Sequence, residues 1–226
     1  LFEKNADSVY KDTKKSGNSS SSSSSSGGGT SVVEVTVPET KPEKPEAVKF
    51  SDIAGHYSEE AVEFLAAKKI ISGYENGEFR PQNNVTRAEF AQLIMVQFDF
   101  KAEKTAKFSD VSENDWFSEP VLILASSGII KGDGEKFMPY DSIKREDAAV
   151  IIARALQKCG VELSGRREFK DDDKISPYAA ESVGVLAAKG ILLGSDGYFS
   201  PESKITRGET AVMLYRAFNA WMEETK

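Results

Sequence analysis

Apolar residues recur at helical spacing in two successive segments, and this pair of segments is found more than once along the chain. In the first segment, an apolar stripe between about residues 58 and 71 consists of Ala61, Val62, Leu65 and Ala66. The second segment begins near Thr86 and has Phe90, Leu93, Ile94 and Phe98 on one face. Residues 121–125 are apolar on every side, which predicts a buried helix. The pattern therefore predicts an all-α fold built from helix-turn-helix units.

Three copies of this unit follow one another. They begin at Phe50-Ser51-Asp52, Phe108-Ser109-Asp110 and Phe169-Lys170-Asp171. Each copy continues with an aromatic residue, a glycine, a Phe-x-Pro segment and an arginine at matching spacings. The aromatic residues are Tyr57, Trp116 and Tyr178, and the glycines are Gly73, Gly132 and Gly194. Repeats of this length predict units that stack or close into a ring around one shared core.

Glycines mark the predicted end of each first helix, because glycine adopts the positive φ that closes a helix. We expect this role for Gly73, Gly132 and Gly194. The connection that follows contains Asn76-Gly77, Asp133-Gly134 and Asp196-Gly197, which are dipeptides typical of tight turns. A few extended residues around the Phe-x-Pro segment then lead into the second helix.

The start of the second helix carries a capping signal in two repeats. Thr86-Arg87-Ala88-Glu89 and Thr206-Arg207-Gly208-Glu209 predict a capping box, in which the Thr and Glu side chains bond each other's backbone amides. The middle repeat has Lys144 at the Thr position, and a lysine cannot accept that hydrogen bond. We therefore expect this helix to start less firmly, by about 1 kcal/mol.

An arginine follows the cap in every repeat, at Arg87, Arg145 and Arg207. Capping does not require it, and a cation is disfavoured at the positive end of the helix dipole. One interpretation is an anion receptor, in which the guanidinium and free helix amides converge on a carboxylate or phosphate. The alternative is a structural salt bridge to Asp52, Asp110 or Asp171. The first interpretation predicts that the arginines contribute to binding and little to stability.

Composition separates residues 1–49 from the repeats. Ser19 to Ser26 form an unbroken serine run, which is followed by glycines and by a Pro/Glu/Lys stretch, a composition typical of a disordered linker. This linker has equal numbers of acidic and basic residues, so the net charge of −7 falls on the repeats. We predict a linker or the tail of an upstream domain in residues 1–18, a Ser/Gly/Pro-rich linker in 19–49, and repeats in 50–107, 108–168 and 169–226.

These composition data exclude several classes of function. The acidic net charge argues against nonspecific nucleic-acid binding, and no apolar run has the length of a membrane span. The single cysteine, Cys159, and the single histidine, His56, argue against a zinc site and against histidine-dependent catalysis. Asp171-Asp172-Asp173 lacks the alternating ligands of a calcium loop and is interpreted as a solvated helix start. We expect no cofactor, no metal and no catalytic residues.

The repeated motifs resemble the surface-layer homology (SLH) domain over residues 50 to about 221. The resemblance implies a pseudo-threefold helical spindle that anchors an exported protein noncovalently to secondary cell-wall polysaccharide, at the cell wall or in the S-layer. It also implies that the ligand, an anionic polymer with a pyruvylated amino sugar, lies in grooves between repeats. The chain, beginning at Leu1, is interpreted as the C-terminal piece of a protein with an upstream domain.

The resemblance also assigns ligand-binding roles. The motif arginines Arg87, Arg145 and Arg207 face the pyruvate carboxylate, the backbone at Gly73, Gly132 and Gly194 contributes, and Tyr57, Trp116 and Tyr178 are the groove aromatics. Lys144 and Gly208 depart from the family pattern, so we expect unequal sites and a weaker contribution from Arg145. The other functional classes that remain are a helical scaffold that binds an envelope protein and a glycan-active enzyme, although no carboxylate pair stands out for catalysis.

Overall fold

The computed structural model describes residues 48–224, and within this range it confirms the all-α prediction. Residues 1–47 of the predicted upstream tail and linker lie outside the described residues. Each repeat contributes two helices. These are α1 (Glu59–Ala67) and α2 (Arg87–Phe98), α3 (Ser118–Ser126) and α4 (Arg145–Lys158), and α5 (Ala180–Ala188) and α6 (Arg207–Glu224), with a short 3-10 helix at Asp172–Lys174.

The repeats close into a ring because each first helix packs on the second helix of the preceding repeat. Helix α3 packs on α2, α5 packs on α4, and α1 of the first repeat packs on α6 of the third. The second helices also meet at the centre, where α4 contacts both α2 and α6. The apolar stripes predicted from the sequence face this shared core. No repeat therefore buries its apolar face without its neighbours.

A closed ring of backbone hydrogen bonds marks the threefold axis. The Val85 amide donates to the Ile205 carbonyl (3.1 Å), the Ile205 amide donates to the Ile143 carbonyl (3.1 Å), and the Ile143 amide donates to the Val85 carbonyl (2.9 Å). All three side chains are buried. These residues directly precede the second helices, so the ring fixes the starts of α2, α4 and α6 relative to one another.

The aspartate near the start of each repeat binds backbone amides. Asp52 accepts hydrogen bonds from the amides of Phe79 and Arg80, both at 2.7 Å. Asp110 and Asp171 bind the corresponding amides of their own repeats in the same way. Each carboxylate thus holds the Phe-x-Pro segment, and Asp171 is buried and not solvated as the sequence suggested. Arg87 and Arg145 form their ion pairs with Asp147 and Glu209 instead, so for these two arginines the salt bridge to a starting aspartate, the structural alternative considered above, is wrong.

The first helices end four residues earlier than the glycine pattern predicted. Helix α1 stops at Ala67, and the positive φ that follows belongs to Lys69 (59°). Gly73 and Gly132 do not have positive φ, although Gly194 does, so the helix-stop prediction is wrong. A Cβ on Gly73 would overlap the Phe50 ring and lie 2.7 Å from the Glu78 carbonyl oxygen. These glycines allow close backbone approach.

Candidate functional site

The first two amides of each second helix are already bound. The Arg87 amide donates to the Asp141 carbonyl and the Ala88 amide to the Pro139 carbonyl, both at 2.9 Å. Carbonyls of the neighbouring repeat accept the equivalent amides of α4 and α6. The capping boxes predicted at Thr86 and Thr206 are present, and Lys144 makes no cap. In α2 and α6 the amides of the first turn are therefore not available to an anion, and the guanidinium groups are the donors that remain there.

Two of the three motif arginines are anchored to the next repeat in the same way. Arg87 donates from Nε to the Phe137 carbonyl (2.9 Å) and from Nη2 to the Lys131 carbonyl (2.9 Å). Arg207 donates to the equivalent carbonyls of Phe79 (2.8 Å) and Ser72 (2.9 Å). Each of these arginines thus joins two repeats as well as facing the space between them.

Arg145 is held differently. Its Nη1 pairs with Glu209 Oε1 at 2.8 Å, and its Nε is buried without a hydrogen-bond partner. Glu209 has a double role, because its other oxygen accepts the Thr206 amide in the capping box (2.9 Å). The cap of α6 therefore also supplies a counter-ion for the arginine of the preceding repeat.

Groove A is the open space beside Arg87, with a volume of about 380 Å³. It brings residues of all three repeats together, because Arg87 comes from the first, Gly132 and Asp147 from the second, and Tyr178 from the third. Asp147 lies 3.7 Å from Arg87 Nη1 and accepts a hydrogen bond from the Tyr178 hydroxyl (2.7 Å). Lys131 and Arg154 add positive charge to its wall.

Groove B is the equivalent space beside Arg145 and is larger, with a volume of about 520 Å³. Gly194 and Tyr57 line it at the positions that Gly132 and Tyr178 have in groove A. The exposed apolar side chains Leu193 and Tyr198 also belong to this groove. Arg216 provides its second cation.

The third junction, groove C, is closed over Arg207: the Tyr74 ring centre lies 5.2 Å from the guanidinium carbon, and the cavity beneath it has a volume of about 10 Å³. Arg207 is only 6% exposed, and burial lowers its pKa. Ile71, Phe79 and Leu93 fill the space with apolar side chains. At its edge, Gly208 leaves room for His56 and Ser58, since a Cβ there would lie 3.1 Å from each. The departure from alanine at residue 208 therefore serves the packing of this closed junction.

Two of the three predicted groove aromatics, Tyr57 and Tyr178, line the open grooves of the described structure. Tyr57 and Tyr178 are 65% and 55% exposed, which rules out the core-anchor role considered from the sequence. Burial of the hydroxyl and the charge of Glu209 raise the pKa of Tyr57. Burial and the hydrogen bond to Asp147 raise the pKa of Tyr178 further. Trp116 is half-buried against Phe117, and it lines neither groove A nor groove B.

Sequence reasoning missed several groove residues. Glu209 and Asp147 were assigned to helix capping or were not considered, yet they face the motif arginines. Arg154 and Arg216 carry no motif, although the repeat alignment places both at the same position of the second helix, where the first repeat has Val96. Aligning the second helices beyond the capping motif would have revealed this pair. Within residues 48–224, no cluster of three or more His, Cys, Asp or Glu side chains is placed to hold a metal ion.

Comparison with protein-family models identifies the repeats. The S-layer homology domain matches residues 49–91, 107–149 and 168–211. Each match begins just before the Phe-x-Asp start of a repeat and ends within the second helix. The matched segments thus contain the aspartate that binds the Phe-x-Pro amides, the glycine that allows close backbone approach, and the motif arginine. These features build the ring and its grooves.

Curated relatives have the same module within larger proteins. An exoglucanase XynX of Acetivibrio thermocellus is 35% identical over 174 residues, covering 75% of this chain and 16% of that protein. A surface-layer 125 kDa protein of Lysinibacillus sphaericus is 31% identical, covering 74% and 14% of the two chains. The S-layer protein sap of Bacillus anthracis is 28% identical, covering 73% and 20%. The chain thus spans a fifth or less of each of these relatives.

The comparisons agree with a role at the cell surface. Most of the exoglucanase lies outside the matched region, so its name describes a protein of which this module is a small part. Among the described residues, none of the helices combines the length and the apolar character needed to cross a membrane. SLH domains fit cell-wall anchoring, and the surface-layer relatives indicate a cell-wall or S-layer location. With three matched domains over more than half of its length, this chain belongs to the S-layer homology domain family.

Proposed function

We propose that the module anchors an exported protein noncovalently by binding secondary cell-wall polysaccharide in grooves A and B. The ligand group is the carboxylate of a pyruvylated amino sugar. The observation that carries the proposal is the combination of a motif arginine, an exposed tyrosine and a close-approach glycine in two open grooves. The two grooves draw these residues from different repeats, and therefore exist only in the closed ring.

The chemistry of the grooves suits an anionic sugar. An arginine offers two parallel N–H donors to a carboxylate, which a lysine cannot do. The tyrosines present an apolar ring face beside these donors, and sugar sites combine such faces with a few fixed polar groups. Because the chain has a net charge of −7, long-range attraction does not favour an anionic polymer. Recognition therefore depends on local contacts in the grooves.

Groove C has a structural role in this proposal. The sequence-based expectation gave equal weight to Arg87 and Arg207 and less to Arg145. The volumes of the three spaces favour the opposite order for Arg145 and Arg207, because groove B is the largest and groove C is closed. Gly73 and Trp116, which the repeat alignment assigns to groove C, are accordingly proposed as structural residues.

The module is proposed to bind glycan without cleaving it. Glycosidases use two carboxyl groups across one cleft. Among the described residues, groove B is lined by one carboxylate, Glu209, which is already bound by Arg145 and by the α6 cap. Groove A is lined by Asp147 and Asp133, but Asp147 pairs with Arg87 and Tyr178, and Asp133 accepts hydrogen bonds from the amides of Glu135 and Lys136. No reducing sugar is expected on incubation of the chain with purified wall polysaccharide, and its release would contradict this part of the proposal.

The test is binding of the full chain to purified cell-wall sacculi before and after chemical removal of the polysaccharide. Arg87→Ala and Arg145→Ala should each weaken binding about tenfold or more, since a hydrogen bond to a charged group contributes about 1.5–3 kcal/mol. Arg167→Ala is the matched control, because Arg167 is exposed and lies outside the grooves. Binding that survives removal of the polysaccharide would instead favour a scaffold for another envelope protein and contradict the proposal.

A further inference from the structure

Each open groove contains a second arginine that belongs to no motif. Arg154 lines groove A and Arg216 lines groove B. Both are the ninth residue after the motif arginine of their own helix, and the equivalent residue in α2 is Val96. The two open grooves therefore have a second cation, and the helix that borders the closed groove has an apolar residue at this position.

Helix geometry explains how one helix serves two grooves. Nine residues rotate the chain by about two and a half turns and advance it by about 13.5 Å along the axis. Residues at this spacing lie on opposite sides of a helix. Helix α4 accordingly presents Arg145 to groove B and Arg154 to groove A. Each groove thus has its motif arginine at the start of one helix and its second arginine farther along the neighbouring helix.

Neither second arginine has a strong partner within residues 48–224. Arg154 makes one long hydrogen bond from Nη1 to the Ile129 carbonyl at 3.4 Å. Arg216 makes no hydrogen bond or ion pair with the described residues, although it is partly buried and desolvation lowers its pKa. A partly desolvated cation without an ion pair is costly, and a ligand anion would offset that cost.

The helix dipole does not account for this pattern. Cations are favoured in the last turn of a helix. Arg216 lies in the middle of α6, whereas Val96 lies in the last turn of α2, where a cation would be favoured. The two arginines therefore differ from Val96 in lining an open groove, and their position along the helix does not explain the difference.

We propose that Arg154 and Arg216 form a second anion subsite in grooves A and B, which binds a second anionic group on the same polymer chain. The inference rests on the proposed polysaccharide binding and extends it. Each open groove would then hold a stretch of glycan with charges at two separate points. A polymer with repeated anionic sugars would bind more tightly than a single anionic sugar, because both cations of a groove are used at once.

The experiment compares two probes on the full chain by calorimetric titration. One probe is a pyruvylated N-acetylhexosamine monosaccharide, which carries one carboxylate. The other is an oligosaccharide in which two such sugars occur in one chain. The variants are Arg216→Ala, Arg154→Ala and the double variant, with Arg167→Ala as control, and circular dichroism confirms that each is folded.

We expect the double variant to bind the oligosaccharide about tenfold more weakly than the unmodified chain and to bind the monosaccharide unchanged. Each single variant should weaken one of two oligosaccharide sites. Equal losses for both probes, or no loss for either, would overturn the second subsite while leaving the proposed function standing. If the unmodified chain bound neither probe, both the subsite and the proposed function would be refuted.

Discussion

Grooves B and C are built from the same repeat motif and have opposite properties. In groove C, Arg207 is bound to two backbone carbonyls and surrounded by apolar side chains. In groove B, Arg145 has exchanged those carbonyl contacts for an ion pair with Glu209, and the space beside it is open. The same arginine therefore serves as a clamp between repeats in one groove and as a candidate receptor in the other.

The neighbours of the arginine explain the difference. Groove B has Met213 and Arg216 at two positions of α6, where the repeat alignment gives Leu93 and Val96 in α2, and Leu93 lines groove C. Gly208 lets the start of the first repeat pack tightly against α6. At the junction between the third and first repeats, side chains thus fill the space that stays open at the other two junctions. A motif residue does not by itself identify a binding site, because the side chains around it decide whether a ligand has room.

The largest expected difference is in thermal stability, between the replacement of Arg207, which joins two repeats, and the replacement of Arg145, the candidate receptor. Arg207→Ala removes two charge-assisted hydrogen bonds, each contributing about 1.5–3 kcal/mol, so its melting temperature should fall by about 10 °C. Arg145→Ala removes one partly exposed ion pair and should lower the melting temperature by less than about 3 °C. Thermal unfolding followed by circular dichroism measures both. Equal losses of stability would break the comparison.

A methyl group on the close-approach glycines should also distinguish the grooves. Gly194→Ala and Gly73→Ala each force a Cβ against a phenylalanine ring and a backbone carbonyl, and overpacking of this kind costs about 1–3 kcal/mol. Both variants should be destabilised, but only Gly194 lies in an open groove. Titration with the pyruvylated monosaccharide should therefore show weaker binding for Gly194→Ala alone. Weaker binding by Gly73→Ala would show that groove C opens to ligand.

Replacement of Glu209, the counter-ion of Arg145, should have a smaller effect and should strengthen binding. Glu209→Gln keeps an oxygen for the α6 cap and removes the charge that competes with a ligand carboxylate for Arg145. Binding of the monosaccharide in groove B should become about threefold to tenfold tighter, which corresponds to about 1 kcal/mol. Glu89→Gln makes the same change in the α2 capping box, beside the closed groove C, and is expected to leave binding unchanged. Weaker binding by Glu209→Gln would mean that Glu209 orients Arg145 for its ligand.

The smallest expected effect is a change of stability at alkaline pH. The pKa of Tyr178 is raised by burial and by its bond to Asp147, so the folded chain retains the phenolic proton above the ordinary pKa of 10.0. This contribution to stability is complete below pH 10 and is lost as the pH rises above that value. Tyr178→Phe should therefore flatten the decline of the melting temperature above pH 10. An unchanged decline would indicate other titrating groups.

The repeat motifs predicted the fold because its determinants are local. The apolar stripes, the capping boxes at Thr86 and Thr206 and the turn glycines act within a few residues, and the structure has them as expected. The role of Gly73 was assigned incorrectly from the same pattern, and the binding of backbone amides by Asp52 was not predicted. Asp52 binds the amides of Phe79 and Arg80, far along the repeat, and Gly73 lies against the Phe50 ring and the Glu78 carbonyl. The spacing of these residues does not by itself indicate which atoms they meet.

The grooves were less predictable because each depends on three repeats at once. A repeat-by-repeat alignment groups Arg87 with Gly73 and Tyr57, whereas the ring places Arg87 beside Gly132 and Tyr178. The alignment also gives no volume, so it did not distinguish the closed groove C from the open grooves. It predicted a weak contribution from Arg145 because Lys144 does not cap its helix, but the opening of groove B follows from packing across the junction and not from the cap.

The number of ligand sites tests the central claim most directly. Calorimetric titration of the full chain with the pyruvylated N-acetylhexosamine monosaccharide counts the open grooves. The account predicts two sites on the unmodified chain and one on Arg145→Ala, with no change of number on a folded conservative variant such as Arg207→Lys. Three sites, or a loss of one site in Arg207→Lys while Arg145→Ala retained both, would contradict it.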